Sequence, residues 1–422
     1  MKKRMDSMQA LRFLACLCIF AHHCYITEVV YWGVSVFFVM SGFLMCCGYY
    51  DRYSASLSPA VSLRFSLKKL WKLYPLHVLT MLPILALDIY MRPSTGMTNG
   101  FIIAETAANL LLVQAWLPEY AFSLNGVAWY LSVSVLLYFL FPYILACIRS
   151  YRSRGTAFAA CAALFAVQIG LCALAAPLGR ALYGEDYSSF AFWFGYIFPP
   201  VRAVDFAVGC NLGYIFITRR PGACESRRAS AALELACAVL LALAVWIFKS
   251  GHSFLALREF RSAVLFLPFA AAAVYLFAVG KGLIPRLLTN RVTVFLGDMS
   301  AWFYLIHQDI VRPGYMLLDR MGLTLSQCKP ILFFVCGALS AVLMFLFEKP
   351  DIHEIVSAWL PILYTGVLSS GVAYTLQIVA QKNVNPTVAS LLMSLESVFS
   401  ALAGWAILGQ GLSSRELFGC AL

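Results

Sequence analysis

Apolar stretches of about 20 residues recur along the chain, and each is long enough to cross a bilayer as a helix. Twelve such windows predict membrane spans, at residues 8–27, 33–50, 73–90, 126–148, 156–177, 197–218, 231–248, 262–280, 294–313, 330–348, 358–380 and 386–409. A further stretch, 101–117, carries Glu105 and Asn109, and we interpret it as re-entrant or interfacial. The pattern predicts an all-α, polytopic integral membrane helix bundle of about ten spans, with two extra spans at its C-terminal end.

Composition and charge agree with this prediction. Hydrophobic residues make up 62% of the chain and charged residues 12%, and the mean hydropathy is +0.80, whereas soluble proteins carry about 25% charged residues. The formal net charge of +11 comes largely from basic residues in every second loop, at 1–4, 64–72, 149–154, 218–228 and 281–291. Because basic loops stay in the cytoplasm, we expect a cytoplasmic N-terminus, the lipid bilayer as partner and no nucleic-acid partner.

The first window, LRFLACLCIFAHHCY in its central part, carries Arg12 and His23 eleven residues apart. At about 100° per residue, eleven steps return to within roughly 20° of the starting direction, so both side chains share one helix face about 16 Å apart. His22 points about 100° away. Ionisable groups within a span often mark a functional site, but Arg12 reaching the inner interface and histidines capping the outer end remain an alternative.

The fourteen cysteines predict neither a disulfide framework nor a metal centre. Most lie inside predicted spans, and the pairs Cys16/Cys18 and Cys46/Cys47 lack a second pair at metal-ligand spacing. We interpret them as small packing residues.

Six segments occur in an order that is typical of one family. They are Arg12-x10-His23 with GVSVFFVMSGFLM at 33–45, KKLWKLYPLHVL at 68–79, NLLLVQAW with SLNGVAWYLSV between 109 and 133, RAVDFAVGCNLGY at 202–214, LGDMSAWFYLIHQDIV at 296–311 and FEKP at 347–350. Over about residues 6–350 the chain resembles the membrane-bound acyltransferase-3 family. The resemblance implies ten spans in a bacterial plasma membrane and O-acylation, in the main O-acetylation, of glycans. It implies acyl-CoA as donor substrate, with no permanently bound cofactor and no metal.

The resemblance also implies roles for the two residues of the first span. His23 is expected to be the catalytic base or nucleophile, and Arg12 is expected to position substrate or contact phosphate. Lys69 and Lys72, in the basic loop with Arg64 and Lys68, are expected to bind the phosphates of the donor, although ordinary positive-inside charge explains the same loop.

Five further residues are candidates for substrate binding, and each has a structural alternative. They are Ser41 beside Gly42, Trp129, Arg202, Asp205 and His307. The alternatives are close helix packing for Ser41–Gly42, an interfacial aromatic belt for Trp129, a structural ion pair for Arg202–Asp205, and an outer helix cap for His307.

Three departures from the family pattern concern charge. Ser35 and Ser134 stand where members commonly carry Asp and Glu, and lysines replace arginines in KLYPLH, which keeps charge but loses bidentate phosphate binding. These departures leave an acyltransferase for divergent acceptors and an impaired enzyme both open.

The last residues resemble a different family. YTGVLSSGVAYTLQIVAQK and PTVASLLMSLESVFSALAGWAILGQ, within 357–422, resemble the C-terminal end of EamA-type drug/metabolite transporters. Only two complete spans and part of a third are covered, and a transport path between two repeats needs more. We expect a fusion of an acyltransferase-3-like domain at 6–350 with a transporter fragment at 357–422, with transport as the rival function. The oligomeric state is not predicted.

Overall fold

A computed structural model describes residues 5–27, 29–53, 57–219, 227–250, 260 and 262–348. Every predicted window up to residue 348 is largely helical, and the windows 156–177 and 330–348 are each divided between two α-helices. The helices are α1 Asp6–His23, α2 Val30–Tyr49, α3 Pro59–Leu70, α4 Tyr74–Thr95, α5 Asn99–Leu110, α6 Trp129–Arg149, α7 Arg154–Ala173, α8 Ala175–Tyr183, α9 Ser188–Tyr196, α10 Pro199–Ile217, α11 Arg227–Ser250, α12 Leu267–Val279, α13 Leu283–Leu288, α14 Arg291–Arg320, α15 Leu325–Ile331 and α16 Gly337–Glu348. The predicted all-α class is confirmed.

Many of these helices suit a bilayer by length and composition. Among the described residues, six helical segments are long and apolar enough to span. They are Val30–Tyr49, Tyr74–Pro93, Trp129–Arg149, Arg154–Tyr183, Ser188–Ile217 and Leu325–Met344, and two shorter apolar ones are Ser230–Trp246 and Leu267–Val279. The windows at 8–27 and 294–313 form α1 and α14, which also carry charged side chains. The chain is therefore a multi-pass membrane helix bundle. The predicted spans 358–380 and 386–409 lie outside the described residues.

Glycines bring α2 and α10 into backbone contact at the centre of the bundle. A methyl group on Gly42 would lie 2.0 Å from the carbonyl oxygen of Phe206, and one on Gly209 would lie 2.0 Å from that of Val39. Without a hydrophobic force between helices in lipid, such small residues allow the close van der Waals packing that holds spans together. Gly42 thus has the helix-packing role that was one of the two expectations for the Ser41–Gly42 pair.

Helix α1 is packed between α2 and α14. Gly33 of α2 contacts the Ala15 backbone, and Gly297 of α14 contacts the Gln9 backbone so closely that a Cβ there would lie 2.0 Å from its oxygen. Further along, the Cys16 thiol donates to the Ser300 carbonyl at 3.6 Å. Because residue numbers increase in the same direction along both helices from one contact to the next, α1 and α14 are parallel.

The segment after α14 packs onto the same pair of helices. Between α15 and α16 a π-helical turn, Leu332–Cys336, interrupts the α-helix. The Phe333 ring lies 5.3 Å from that of Phe20 in α1, and the Cys336 thiol approaches the Ile310 carbonyl of α14 at 3.9 Å. Residues Met1–Leu346 form one compact unit, and Phe347–Leu422 form a second. The predicted domain limits, 6–350 and 357–422, remain predictions.

The contact between α2 and α10 leads to a stability prediction. Gly42→Ala is expected to lower the free energy of unfolding by about 1–3 kcal/mol, because the new methyl group must push Phe206 and its backbone away. Gly48→Ala in the same helix is the matched control, since no atom lies within 4 Å of its Cβ position. Thermal unfolding of both variants in detergent checks this, and equal melting temperatures would contradict the packing assignment.

Candidate active site

Two histidines meet where α1 ends against the middle of α14. His23 Nδ1 lies 3.0 Å from His307 Nε2, and the ring centroids are 5.0 Å apart. The Cys16–Ser300 contact and the His23–His307 contact both join residues 284 positions apart. Seven residues, or about two helical turns, therefore separate the contacts on both helices, which is the repeat of a coiled-coil seam. The parallel packing of α1 and α14 thus aligns the two rings.

Hydrogen-bond partners assign the tautomers of this pair. His307 Nδ1 lies 3.2 Å from the Phe303 carbonyl oxygen, which can only accept, so Nδ1 carries the His307 proton. The neutral ring then has an unprotonated Nε2, which must accept a hydrogen bond from the protonated Nδ1 of His23. A neutral His23 consequently keeps an unprotonated Nε2. A general base needs an unprotonated nitrogen on the side of its ring that faces away from the orienting partner, and Nε2 meets this need.

Aromatic rings fix the orientation of His307. The Phe303 ring stacks on it, with an angle of 8° between the ring planes and 5.9 Å between the centroids. The Phe20 ring meets it edge-on at 5.8 Å, and Tyr304 lies beside it at 6.0 Å. His307 is only 1% exposed. A ring held in this way is suited to orient His23 rather than to reach substrate itself.

His23 lines a cavity of about 420 Å³, a volume in the range of small-molecule sites. Its wall comes from α1, α2, the loop before α6, α6 itself, α9 and α14. The lining residues are Ile19, His22, His23, Val30, Tyr31, Val34, Phe122, Gly126, Val127, Trp129, Phe192, Tyr196, Tyr304, Gln308 and Arg312. The mixture of aromatic walls with a few polar groups is typical of a site for an organic substrate.

The loop before α6 is tied to two helices by Asn125. Its amide nitrogen donates to the Thr80 hydroxyl at 2.9 Å and to the Leu305 carbonyl at 2.8 Å. The Tyr304 hydroxyl donates to the Val127 carbonyl at 3.0 Å. These bonds connect α4, the loop and α14, and so hold Trp129 at the cavity wall.

A second cavity of about 420 Å³ adjoins the first, since His22, His23, Gln308 and Arg312 line both. Its other lining residues are Tyr25, Val311, Tyr315, Met316, Leu325 and Lys329. Tyr25 follows α1 with φ of 60°, a left-handed conformation that costs a non-glycine residue about 1–2 kcal/mol. Backbone bonds from Tyr25 to His22 and from Ile26 to Ala21 close the helix there. The Tyr25 ring then lies 5.2 Å from that of Tyr315.

Arg12 lies within α1, six residues after its start at Asp6 and eleven residues before His23. It is half-buried and interacts electrostatically with Tyr130, whose ring stacks on Phe38 with 4.6 Å between centroids. Tyr130 also lies 5.8 Å from Tyr304 of the cavity wall. A row of aromatic rings therefore leads from Arg12 toward the histidines.

Arg202 and Asp205 form a buried ion pair outside both cavity linings, and Arg202 Nε also donates to the carbonyl of Tyr196 in the first cavity wall at 2.6 Å. Arg202 Nη1 donates to Asp205 Oδ2 at 2.8 Å, and both side chains have zero exposure. Ser35 accepts from Arg202 and donates to Asp205, each at 3.3 Å, while Gln168 donates to Asp205 at 2.6 Å. Neither charged residue lines a cavity. This geometry is that of the structural ion pair, and substrate binding by these residues remains an untested prediction.

The other predicted site residues lie in several places. Trp129 lines the first cavity. The Ser41 hydroxyl is 3.4 Å from that of Tyr138, the Lys69 ammonium lies 4.4 Å above the Tyr49 ring, and Lys72 is exposed after α3. None of these last three lines either cavity.

Sequence reasoning missed two polar residues that line both cavities, Gln308 and Arg312. They follow His307 by one and five positions in the same helix. Arg312 had a readable signal, because a permanent cation at the end of an apolar window invites a functional question. Gln308 offered none, since a single amide in a span is equally suited to helix packing.

Comparisons with known proteins match the chain to two families. Residues 5–347 match a family described as an acyltransferase domain, and residues 323–422 match the EamA-like transporter family. Acyltransferase MdmB of Streptomyces mycarofaciens is 29% identical over 373 residues, which cover 81% of this chain and 87% of that protein. No solved structure gives a significant match. Both families match residues 323–347, and the contacts of α15 and the π-helical turn with α1 and α14 join the described part of that segment to the first unit.

The buried ion pair leads to a second stability prediction. Asp205→Asn is expected to destabilise the protein by about 3–5 kcal/mol, because it leaves the Arg202 guanidinium buried without a counter-charge. The exposed Asp186→Asn is the control. Thermal unfolding in detergent measures both. Replacing both partners with Arg202→Met and Asp205→Leu should recover most of the loss, and a double variant as unstable as Asp205→Asn would contradict this account.

Proposed function

The chain belongs to the acyltransferase domain family, whose match covers residues 5–347, and we propose that it transfers an acyl group from acyl-CoA to a hydroxyl of a cell-surface glycan or similar acceptor. In the simplest case the group is acetyl, which makes the reaction an O-acetylation. The observation that carries the proposal is the His23–His307 hydrogen bond on the wall of a substrate-sized cavity.

His23 is the general base in this proposal. Its unprotonated Nε2 takes the proton of the acceptor hydroxyl as the hydroxyl oxygen attacks the thioester carbonyl carbon. The carbon–sulfur bond then breaks, the oxygen keeps the acyl group, and the coenzyme leaves as a thiolate that receives the proton from His23. His307 holds the His23 Nδ1 proton throughout, so the imidazolium formed in the step keeps its hydrogen bond.

The arrangement of charge supports a direction for the substrates. The basic residues at 64–72, on α3 and just after it, lie near the end of α2, and Arg12 lies nearer to the start of α1 than His23 does. Phosphate groups of a donor are attracted by such cations. In this proposal the protein lies in a bacterial plasma membrane with its N-terminus in the cytoplasm. The donor then enters from the cytoplasm, and the acceptor reaches His23 from outside.

The first functional prediction concerns the histidine pair. His23→Ala is expected to lower acyl transfer by about 10²–10⁴-fold, because the general base is lost. His307→Leu should also lower the rate, while His307→Gln should recover part of it, since the Gln oxygen can accept from His23 Nδ1. Base-labile acetyl groups on envelope glycans, measured from cells expressing each variant, report the activity.

Comparable protein levels in the membrane are the control for expression. His22→Ala serves as the neighbouring comparison and should retain more activity than His23→Ala, because the His22 Nδ1 faces the Thr27 carbonyl at 2.9 Å rather than His307. Equal activity of His23→Ala and the unchanged protein would exclude the base role. Glutamine and leucine at 307 giving the same rate would exclude the orienting role.

The second functional prediction concerns the EamA-like residues. A chain ended after Pro350 is expected to retain acyl transfer, because the candidate site is built from residues before α16. Glycan acetylation and small-molecule uptake are compared for the full and shortened chains. Loss of acetylation on shortening would contradict the prediction. Uptake that only the full chain supports, with no acetylation by either, would favour the transporter alternative.

A further inference from the structure

The second cavity has an unusual charge balance for a space inside a membrane protein. Two permanent cations, Arg312 and Lys329, line it together with His22 and His23. No carboxylate among the described residues lines this cavity or the one adjoining it. A cavity lined by cations and by no carboxylate attracts negative charge, most strongly where water is scarce.

The carboxylates that interact with Arg312 belong to neither cavity lining. Arg312 Nη2 pairs with Asp88 of α4 at 3.6 Å, and Glu105 of α5 and Asp309 of α14 also interact with it electrostatically. The Arg312 side chain is still 42% exposed. A guanidinium has five N–H donors, so one pair with Asp88 leaves most of them for a ligand in the cavity.

Lys329 and Gln308 add two unmatched groups. Lys329, in α15, is half-buried, and its ammonium makes no hydrogen bond or ion pair with the described residues. Gln308 Oε1 is a buried acceptor that has no donor within the described part of the chain. Buried polar atoms normally have partners. A ligand with a negative group and a hydroxyl would satisfy both residues together.

Two of the remaining lining residues, Tyr25 and Tyr315, are aromatic. The Tyr25 and Tyr315 rings lie 5.2 Å apart beside Arg312 and Lys329. Tyr25 is 47% exposed and keeps its left-handed backbone although glycine would adopt it more easily. Aromatic faces pack well against the carbon–hydrogen faces of sugar rings, which suits a carbohydrate between these tyrosines and the cations.

We propose that the second cavity binds the acceptor, and that this acceptor is a sugar carrying a phosphate or carboxylate close to the hydroxyl that is acylated. The inference rests on the proposed acyl transfer and specifies its substrate class. Arg312 and Lys329 bind the anion, Gln308 accepts from a sugar hydroxyl, and the tyrosines hold the ring. His23 lines the same space and so reaches the reacting hydroxyl.

The phosphates of acyl-CoA are also anionic, but we expect them to bind to a different group of cations. Lys69 supplies a cation where α2 ends, and Arg12 supplies one in α1 eleven residues before His23. Arg312 and Lys329 lie beyond His23, at the end where α1 stops. Two different groups of cations suit a donor and an acceptor that meet at the histidine.

Binding of simple sugars to the full chain in detergent tests the inference without any acyl transfer. Glucose 1-phosphate and glucuronate are expected to bind at least about tenfold more tightly than glucose, and added salt should weaken that advantage. Lys329→Gln and Arg312→Gln should each remove most of it. Lys329→Gln is the sharper variant because it breaks no described ion pair, and the exposed Arg320→Gln of α14 is the matched control.

Three results would overturn the inference. They are equal affinity for glucose and glucose 1-phosphate, no measurable binding of either anionic sugar, and an anionic preference that survives both glutamine variants. Coenzyme A provides the other arm. If it competes with glucose 1-phosphate and its binding also weakens in Lys329→Gln, the cavity holds donor phosphates instead. Because no arm depends on turnover, failure of acyl transfer and failure of this site are separate outcomes.

Discussion

The close parallel contact between α1 and α14 is the constraint on which the candidate site depends. Gly297 has no side chain, which allows α14 to approach the Gln9 backbone. Beyond this point the helices make two further contacts seven residues apart, Cys16–Ser300 and His23–His307. Helices in lipid have no hydrophobic effect to drive them together, so this fit depends on small residues and direct packing. The His23–His307 hydrogen bond forms because the same alignment of the two helices continues from Cys16 and Ser300 to these residues.

Helix periodicity and the bilayer made a large part of this architecture predictable. A spanning helix must satisfy its own backbone and needs about 20 apolar residues, so the windows up to residue 348 correspond to helices. The same periodicity gives the shared face of Arg12 and His23, because it depends on one helix alone. His307 was identified as a candidate through its motif, but its contact with His23 was not predicted.

Contacts between helices were beyond the reach of the sequence pattern. The histidine pair joins residues 284 positions apart, and no local rule sets which turn of α14 faces which turn of α1. Gln308 and Arg312 belong to the cavity walls only because α14 continues past His307 between two spaces. Conversely, the i,i+3 spacing of Arg202 and Asp205 allowed both a site and a structural pair, and only burial on every side distinguishes the two arrangements.

The serines that depart from the family pattern have a physical setting that bears on activity. Ser35 lies in the buried network with Arg202 and Asp205, where an aspartate would place a second carboxylate against Asp205 opposite a single guanidinium. Serine keeps that network neutral, although Arg202 Nη2 is left without a partner among the described residues. Ser134 donates to the Tyr130 carbonyl of its own helix at 2.7 Å. Neither serine lines either of the two cavities at His23, so these departures concern the buried interior of the bundle outside the cavity linings.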